Sequence, residues 1–221
     1  MNKDLFKAVD HYISDLFNDE DEYLKAATRD CKAANIPAIS ISATQGKLLQ
    51  VLGVLTNARR ILEIGTLGGY STIWMAKALP TDGKLVTLEL DPKHAAVAGK
   101  NIERAGFGNI VDIRVGKAMD LMEQMIRDKE APFDMIFIDA DKQPYTEYFE
   151  LSLQLSHPGT LIIADNVVRE GKVLDKNSDN EMVAGVQRFN EALAKNSSVT
   201  ATILQTIGTK DHDGMAIAVV K

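Results

Sequence analysis

The sequence predicts an α/β protein built on a seven-stranded, mostly parallel sheet, and three observations carry that prediction. From about residue 59 the chain alternates short apolar runs with amphipathic stretches, the pattern of strand and helix in turn. The first five apolar runs are separated by helical stretches long enough to cross over a sheet, so their strands are parallel and covered on both faces. Only GTKDHDG separates the last two runs, too short for a crossover, so these form an antiparallel hairpin.

In chain order the expected strands are RRILEIG (59–65), KLVTLEL (84–90), IVDIRV (110–115), DMIFID (134–139), TLIIAD (160–165), TATILQTI (200–207) and MAIAVV (215–220). Between the first four lie the helical stretches STIWMAKAL, PKHAAVAGKNIERAG and KAMDLMEQMIRDK. Asp91 is placed to cap the second of these, with Pro92 at its first position. Trp74, Met75 and Leu79 follow helical spacing and belong to the core. The first 58 residues read as helices over about 2–17, 20–33 and 43–56, with too little apolar surface to stand alone. They are expected to pack over the sheet, roof the site or meet a second subunit. One domain, 1–221, is therefore expected: a helical extension (1–58) on an α/β core (59–221).

Composition excludes several functions. At 221 residues and 45% hydrophobic content the chain can bury a full core, and a net charge of −6 disfavours a nucleic-acid footprint. The lone Cys31 forms no internal disulfide and has no nucleophilic partners around it. MNKDLFKAVDHY lacks the apolar segment of a signal peptide, and no run is long enough to span a membrane, so a cytoplasmic, soluble protein is expected.

The turn ILEIGTLGGYST carries Glu63, Gly65, Gly68 and Gly69 between a strand and a helix. A dinucleotide site wants G-x-G-x-x-G, but the second glycine position is Leu67. E-x-G-x-x-x-G suits a ligand without phosphates, with glycines letting the backbone approach and a carboxylate near a cationic amino-acid group. A plain strand-to-helix turn would need the same glycines. Glu89, at the end of the second strand, stands where an acid accepts hydrogen bonds from ribose hydroxyls. Ser71 suits either the ligand or the helix N-cap. Five parallel strands and a closing hairpin fit the Rossmann-like fold of S-adenosylmethionine-dependent methyltransferases better than a dehydrogenase.

Asp139 ends the fourth strand and Asp165-Asn166 the fifth. With right-handed crossovers these strands neighbour the first, so the three groups converge on the carboxyl edge beside the glycine turn. Each alone reads as a cap or an ion-pair partner. Together they repel unless a cation is present, and an all-oxygen set selects a hard ion: Mg²⁺ first, with Ca²⁺ or Mn²⁺ as alternatives.

ISISATQGKLL, ILEIGTLGGYS, TLELDPKH, FIDADK with a following Tyr, and IIADNV, in this order, resemble the cation-dependent O-methyltransferases related to caffeoyl-coenzyme A and catechol O-methyltransferases. The likeness runs from about residue 36 to the C-terminus. It implies cofactor contacts at Ile41 (through its backbone), Glu63, Gly65, Ser71, Glu89, Ala118 and Asp139. It implies metal ligation by Asp139, Asp165 and Asn166, and catalytic roles for Asp139 and for Lys142 near the reacting hydroxyl. Asp141 either lines the cofactor pocket or screens Lys142. Plant members carry Trp-Asn where this chain has Arg169-Glu170, which disfavours a coenzyme A ester.

The function implied is methylation of one hydroxyl of a vicinal dihydroxy aromatic molecule (catechol, phenylpropanoid or flavonoid-like), with a homodimer expected. The alternative is an RNA methyltransferase acting on a hydroxylated base such as hydroxyuridine in tRNA. A nicotinamide oxidoreductase lacks its fingerprint here, and a noncatalytic adenosyl-binding protein leaves Lys142 unexplained. His11, His94, His157 and His212 are expected at the surface or at helix ends, and VREGKVLDKNSDNEM as a mobile surface loop and candidate rim.

Overall fold

The computed structural model describes residues 3–17 and 20–221. The strands are β1 (Arg60–Ile64), β2 (Lys84–Glu89), β3 (Val111–Val115), β4 (Phe133–Ile138), β5 (Ser156–Asp165), β6 (Val199–Gly208) and β7 (Asp211–Val220). Helices α1 (Lys3–Phe17), α2 (Glu22–Ala33) and α3 (Ala43–Leu55) precede them, and α4 (Tyr70–Ala76), α5 (Pro92–Arg104), α6 (Ala118–Arg127), α7 (Tyr145–Gln154) and α8 (Glu181–Lys195) are interleaved. Residue 2, where the first helix was expected to begin, lies outside the described residues.

The strands form one seven-stranded sheet in the order β3-β2-β1-β4-β5-β7-β6. β1 to β5 are parallel, and β7 runs antiparallel to both β5 and β6, as the sequence leads one to expect. Two boundaries are corrected. β5 begins at Ser156 rather than at 160, and the hairpin arms run on until Gly208 pairs with Asp211, leaving a two-residue turn, Thr209-Lys210, instead of seven residues. Asp-His-Asp-Gly reads as loop by composition. At the far end of an edge pair, however, main-chain pairing holds the ladder whatever the side chains are.

Alternation along the strands feeds two cores. Leu62, Val86, Ile136 and Ile162 pack with Met122, Met125, Phe149 and Phe189 on one face. Ile61, Leu85, Met135 and Phe137 pack with Leu24, Leu49, Trp74 and Ile102 on the other. Trp74 and Met75 are in the core as expected, and Leu79 sits partly buried at its margin.

Helix α3 lies tightly on α4 because glycines face it. A Cβ on Gly46 would come 2.2 Å from Trp74 Cδ1, and one on Gly53 2.8 Å from Ala78 Cβ. That close approach carries the N-terminus of α3 over the carboxyl ends of the strands.

Candidate active site

β1 and β4 are neighbours, yet the chain leaves them toward opposite sides of the sheet. The crevice that opens there, at the carboxyl ends, is where ligands bind in open α/β sheets. It is a cleft of about 1400 Å³. Every site residue singled out from the sequence lines it except Glu63.

At one end lies the glycine turn. Gly65 has φ +100°, and a Cβ there would sit 2.2 Å from the Asp139 carbonyl oxygen, so the turn and the end of β4 are in direct contact. Glu89 holds the turn from below. Its Oε2 accepts the N–H groups of Thr66 (3.3 Å) and Leu67 (2.7 Å), and its Oε1 that of Asp91 (2.9 Å). Asp91 caps α5 as expected, accepting from Lys93 N–H at 2.7 Å with Pro92 at the first position.

Ser71 is not a cap. α4 begins one residue earlier, with Gly69 as N-cap in the left-handed region (φ 83°). Ser71 sits in the first turn and donates its hydroxyl to Glu63, as does Thr72, and Thr87 donates to the same carboxylate at 2.6 Å. Glu63 is fully buried behind these hydroxyls, and burial pushes its carboxyl up to about 7, with the hydroxyls opposing and the charge of Asp139 assisting. It reaches the cleft through Ser71 alone among the residues it bonds.

At the other end lies a polar cluster. Lys142, only 5% exposed, donates from Nζ to Asp139 Oδ1 at 2.9 Å and to the Tyr145 hydroxyl. The Tyr145 hydroxyl donates on to the Asp165 carbonyl at 3.0 Å. Burial, then the charges of Asp139 and Asp165, hold that phenol well above its usual range, so it stays neutral. Asp165 is buried too. Its carboxylate accepts from Asn166 N–H (2.8 Å) and from Gln45 Nε2 (3.3 and 3.2 Å to its two oxygens). Burial and the charge of Asp139 push it up to about 7 against the Asn166 N–H and Lys142. Asn166 has φ 61°, a conformation that Asn tolerates better than most residues. Asp141 lines the cleft and accepts from the Tyr148 hydroxyl at 2.6 Å.

The roof comes from the two ends of the chain. Asp10 of α1 accepts from the Thr44 hydroxyl and from both N–H and hydroxyl of Thr209, at the hairpin turn, each at 2.9 Å. The segment after Asn166 is pinned. It winds into a 3-10 turn (Arg169–Leu174), and Asp213 Oδ1 accepts the N–H groups of Val168 (3.0 Å) and Arg169 (2.8 Å). Arg169 and Met182 line the cleft, so this stretch is a rim, though an anchored one. His94 sits in the first turn of α5 but also faces the cleft, 3.6 Å from Glu89, which the sequence reading missed. Gln45, Tyr148, Asp10 and the hairpin residues 205–208, 210, 211 and 213 were missed as well. Only Gln45 had a local signal, the S-x-x-Q of ISATQ.

Fold and cleft together define a class: an α/β protein with a large cleft at the carboxyl edge of its sheet, where a glycine turn stands beside a lysine–carboxylate cluster. The profile of the O-methyltransferase family matches residues 14–219, and the chain belongs to that family. A catechol O-methyltransferase of Niastella koreensis is 61% identical over 221 residues, covering 100% of both chains. An O-methyltransferase of Bacillus cereus, solved in complex with SAH, is 51% identical with a TM-score of 0.96 over 99% of each chain. One of Streptomyces achromogenes, involved in tomaymycin synthesis and solved with SAM, is 46% identical with a TM-score of 0.96 over 100% of this chain and 99% of that one. The protein is an S-adenosylmethionine-dependent O-methyltransferase.

Proposed function

We propose that the protein transfers the methyl group of S-adenosylmethionine to one hydroxyl of a vicinal dihydroxy aromatic small molecule, with a divalent cation in the site. The observation that carries this reading is the bonded cluster of Lys142, Asp139, Tyr145 and Asp165 beside the glycine turn. In it a fixed positive donor and two carboxylates share one wall of the cleft.

Glu89 takes the ribose hydroxyls, Gly65 gives the backbone approach, and the Ile41 carbonyl and Ser71 meet the amino-acid end. Ala118, at the start of α6, borders the adenine, and Glu63 acts by fixing Ser71.

The residues present fit a hard cation. The donors in this reading are two carboxylates, Asp139 and Asp165; among the described residues no three His, Cys, Asp or Glu side chains are grouped to hold a metal, so the Asn166 amide oxygen is needed to complete the set. The Asp165 carboxyl is raised by its own burial and then by the charge of the half-buried Asp139, and a divalent ion between the two would compensate both. When bound, the cation favours the ionised form of the substrate hydroxyl, and Mg²⁺, Ca²⁺ or Mn²⁺ each suit oxygen donors.

The chain's own residues do the rest. Lys142 spends two N–H groups on Asp139 and Tyr145 and keeps the third for the substrate oxygen, stabilising phenolate charge as it develops. Tyr145, locked between Lys142 and the Asp165 carbonyl, fixes the lysine's direction. The roof of α1, α3 and the hairpin limits water, and holding the two reactants face to face lowers the barrier by orientation.

The whole chain, 1–221, works as one domain in this reading, in the cytoplasm; no helix of the described residues is long and apolar enough to cross a membrane. Leu5, Val9, Tyr12 and Leu16 form an exposed apolar stripe along α1, and β6 is a sheet edge exposing Leu204 and Ile207, which supports a homodimer. The RNA reading is not favoured: the net charge is −6, and two relatives, 61% and 41% identical, are named catechol O-methyltransferases. The test is incubation with labelled S-adenosylmethionine and a catechol, a monohydroxy phenol or RNA, each with and without EDTA. Label in the catechol alone, lost with EDTA, is expected; label in RNA, or equal label in the monohydroxy phenol, would overturn the reading.

A further inference from the structure

Gln45, third residue of α3, is held at both ends of its carboxamide. Its Oε1 accepts the Ser42 N–H at 2.9 Å, and its Nε2 lies 3.3 and 3.2 Å from the two oxygens of Asp165. The orientation of the amide follows from its partners. A backbone N–H can only donate, so it must face the oxygen, and the carboxylate must then face the NH₂; a flipped amide would break both contacts.

Each end acts on a different half of the cleft. The Ser42 N–H belongs to the same peptide unit as the Ile41 carbonyl, and in a trans peptide the two point in opposite directions. Gln45 Oε1 therefore sets the direction of the Ile41 carbonyl, on the cofactor side. The NH₂ straddles the Asp165 carboxylate, whose other bond, from Asn166 N–H at 2.8 Å, reaches only Oδ1. Helix capping alone does not explain an amide here. The capping box of Ser42 and Gln45 would close as well with Glu, whose oxygen also accepts the Ser42 N–H. A Glu would then present a second acceptor to Asp165, 120 residues away in sequence.

We propose that Gln45 is a positioning residue that ties the two halves of the cleft together, its oxygen orienting the Ile41–Ser42 peptide against the cofactor and its NH₂ holding the Asp165 carboxylate for the methyl transfer. The proposal rests on the functional reading above for the roles of Ile41 and Asp165.

Gln45→Glu keeps the acceptor and removes the donor; Gln45→Met removes both at similar length. Calorimetric titration with SAH, thermal unfolding, and kcat for a catechol at saturating S-adenosylmethionine separate the ends. For Gln45→Glu the expected result is SAH affinity within about twofold of the parent and a kcat lowered about tenfold or more. For Gln45→Met the SAH affinity also falls about tenfold, the order of one hydrogen bond near a charged group. A Glu variant with parental kcat, or a Met variant with parental SAH affinity, overturns the proposal. Should the Met variant unfold, the Glu variant, which keeps the cap, decides. Turnover of a catechol by the parent is the separate control: its absence sinks the functional reading, while the SAH titrations still decide on Gln45.

Discussion

At the amino ends of the strands Asp134 shares its carboxylate among Arg59 N–H (2.7 Å), Arg60 N–H (2.8 Å) and His157 Nε2 (2.9 Å). At the carboxyl ends Asp165 has one backbone N–H, the long contacts of Gln45, and Asp139 as a repelling neighbour. Burial works to raise both. At Asp134 the imidazole and the two N–H groups outweigh it and hold the carboxyl below its usual range; at Asp165 burial and Asp139 win and push it up to about 7. One side chain closes the bottom of the sheet with every oxygen satisfied. The other has partners on both oxygens too, yet burial and Asp139 keep it raised at the cleft, and perturbed groups of that kind mark candidate sites.

The comparison breaks first on cation removal. If Asp139, Asp165 and Asn166 hold a cation, excess EDTA abolishes turnover and added Mg²⁺ or Mn²⁺ restores it, and the metal-loaded protein unfolds at a higher temperature than the stripped one. Full activity in EDTA would leave the contrast without a functional meaning. Next in size is Lys142→Ala, expected to lower kcat about 10²-fold or more, the scale of losing a donor aimed at developing negative charge. Its SAH affinity by calorimetry should stay close to the parent; collapse of binding would make Lys142 structural instead.

Glu89→Ala is expected to weaken SAH about tenfold or more, from lost charge-assisted bonds of about 1.5–3 kcal/mol. Unchanged affinity would remove Glu89 from the cofactor site. The smallest effect belongs to the amino edge. His157→Gln should cost under about 1 kcal/mol, because the pair is partly exposed and screened. The His157 pKa is raised in the fold, by the Pro158 carbonyl and then by Asp134, so its contribution is fully present below the ordinary value of 6.5 and fades as pH rises through the higher folded one. Asp134, held low, loses its share only as pH falls through its depressed folded value. The difference in Tm between parent and variant should therefore be largest near about pH 5.5 and shrink by about pH 8.5. A difference that grows with pH would contradict this.

Much of the carboxyl edge was legible because apolar strands end in charged residues in a fixed order. FIDADK and IIADN announce themselves locally, and the parallel crossovers bring them together. What stayed hidden depends on partners far along the chain. The pairing of Asp134 with His157 is invisible in either strand alone. So is the contact of Gln45 with Asp165, although the capping box around Gln45 could be read. The N-cap alternative for Ser71 falls because the left-handed Gly69 takes that place, and the bond from Ser71 to the buried Glu63 had no signal in the sequence.

The bonds from Asp10 to Thr209 reach across 199 positions of sequence. β7 is also the strand that slots between β5 and β6, pairing Met215 beside Asp165. The glycine turn and the acidic strand ends are thus local features of single strands, whereas their cover is a long-range contact, and contacts of that separation carry the largest loop-closure cost.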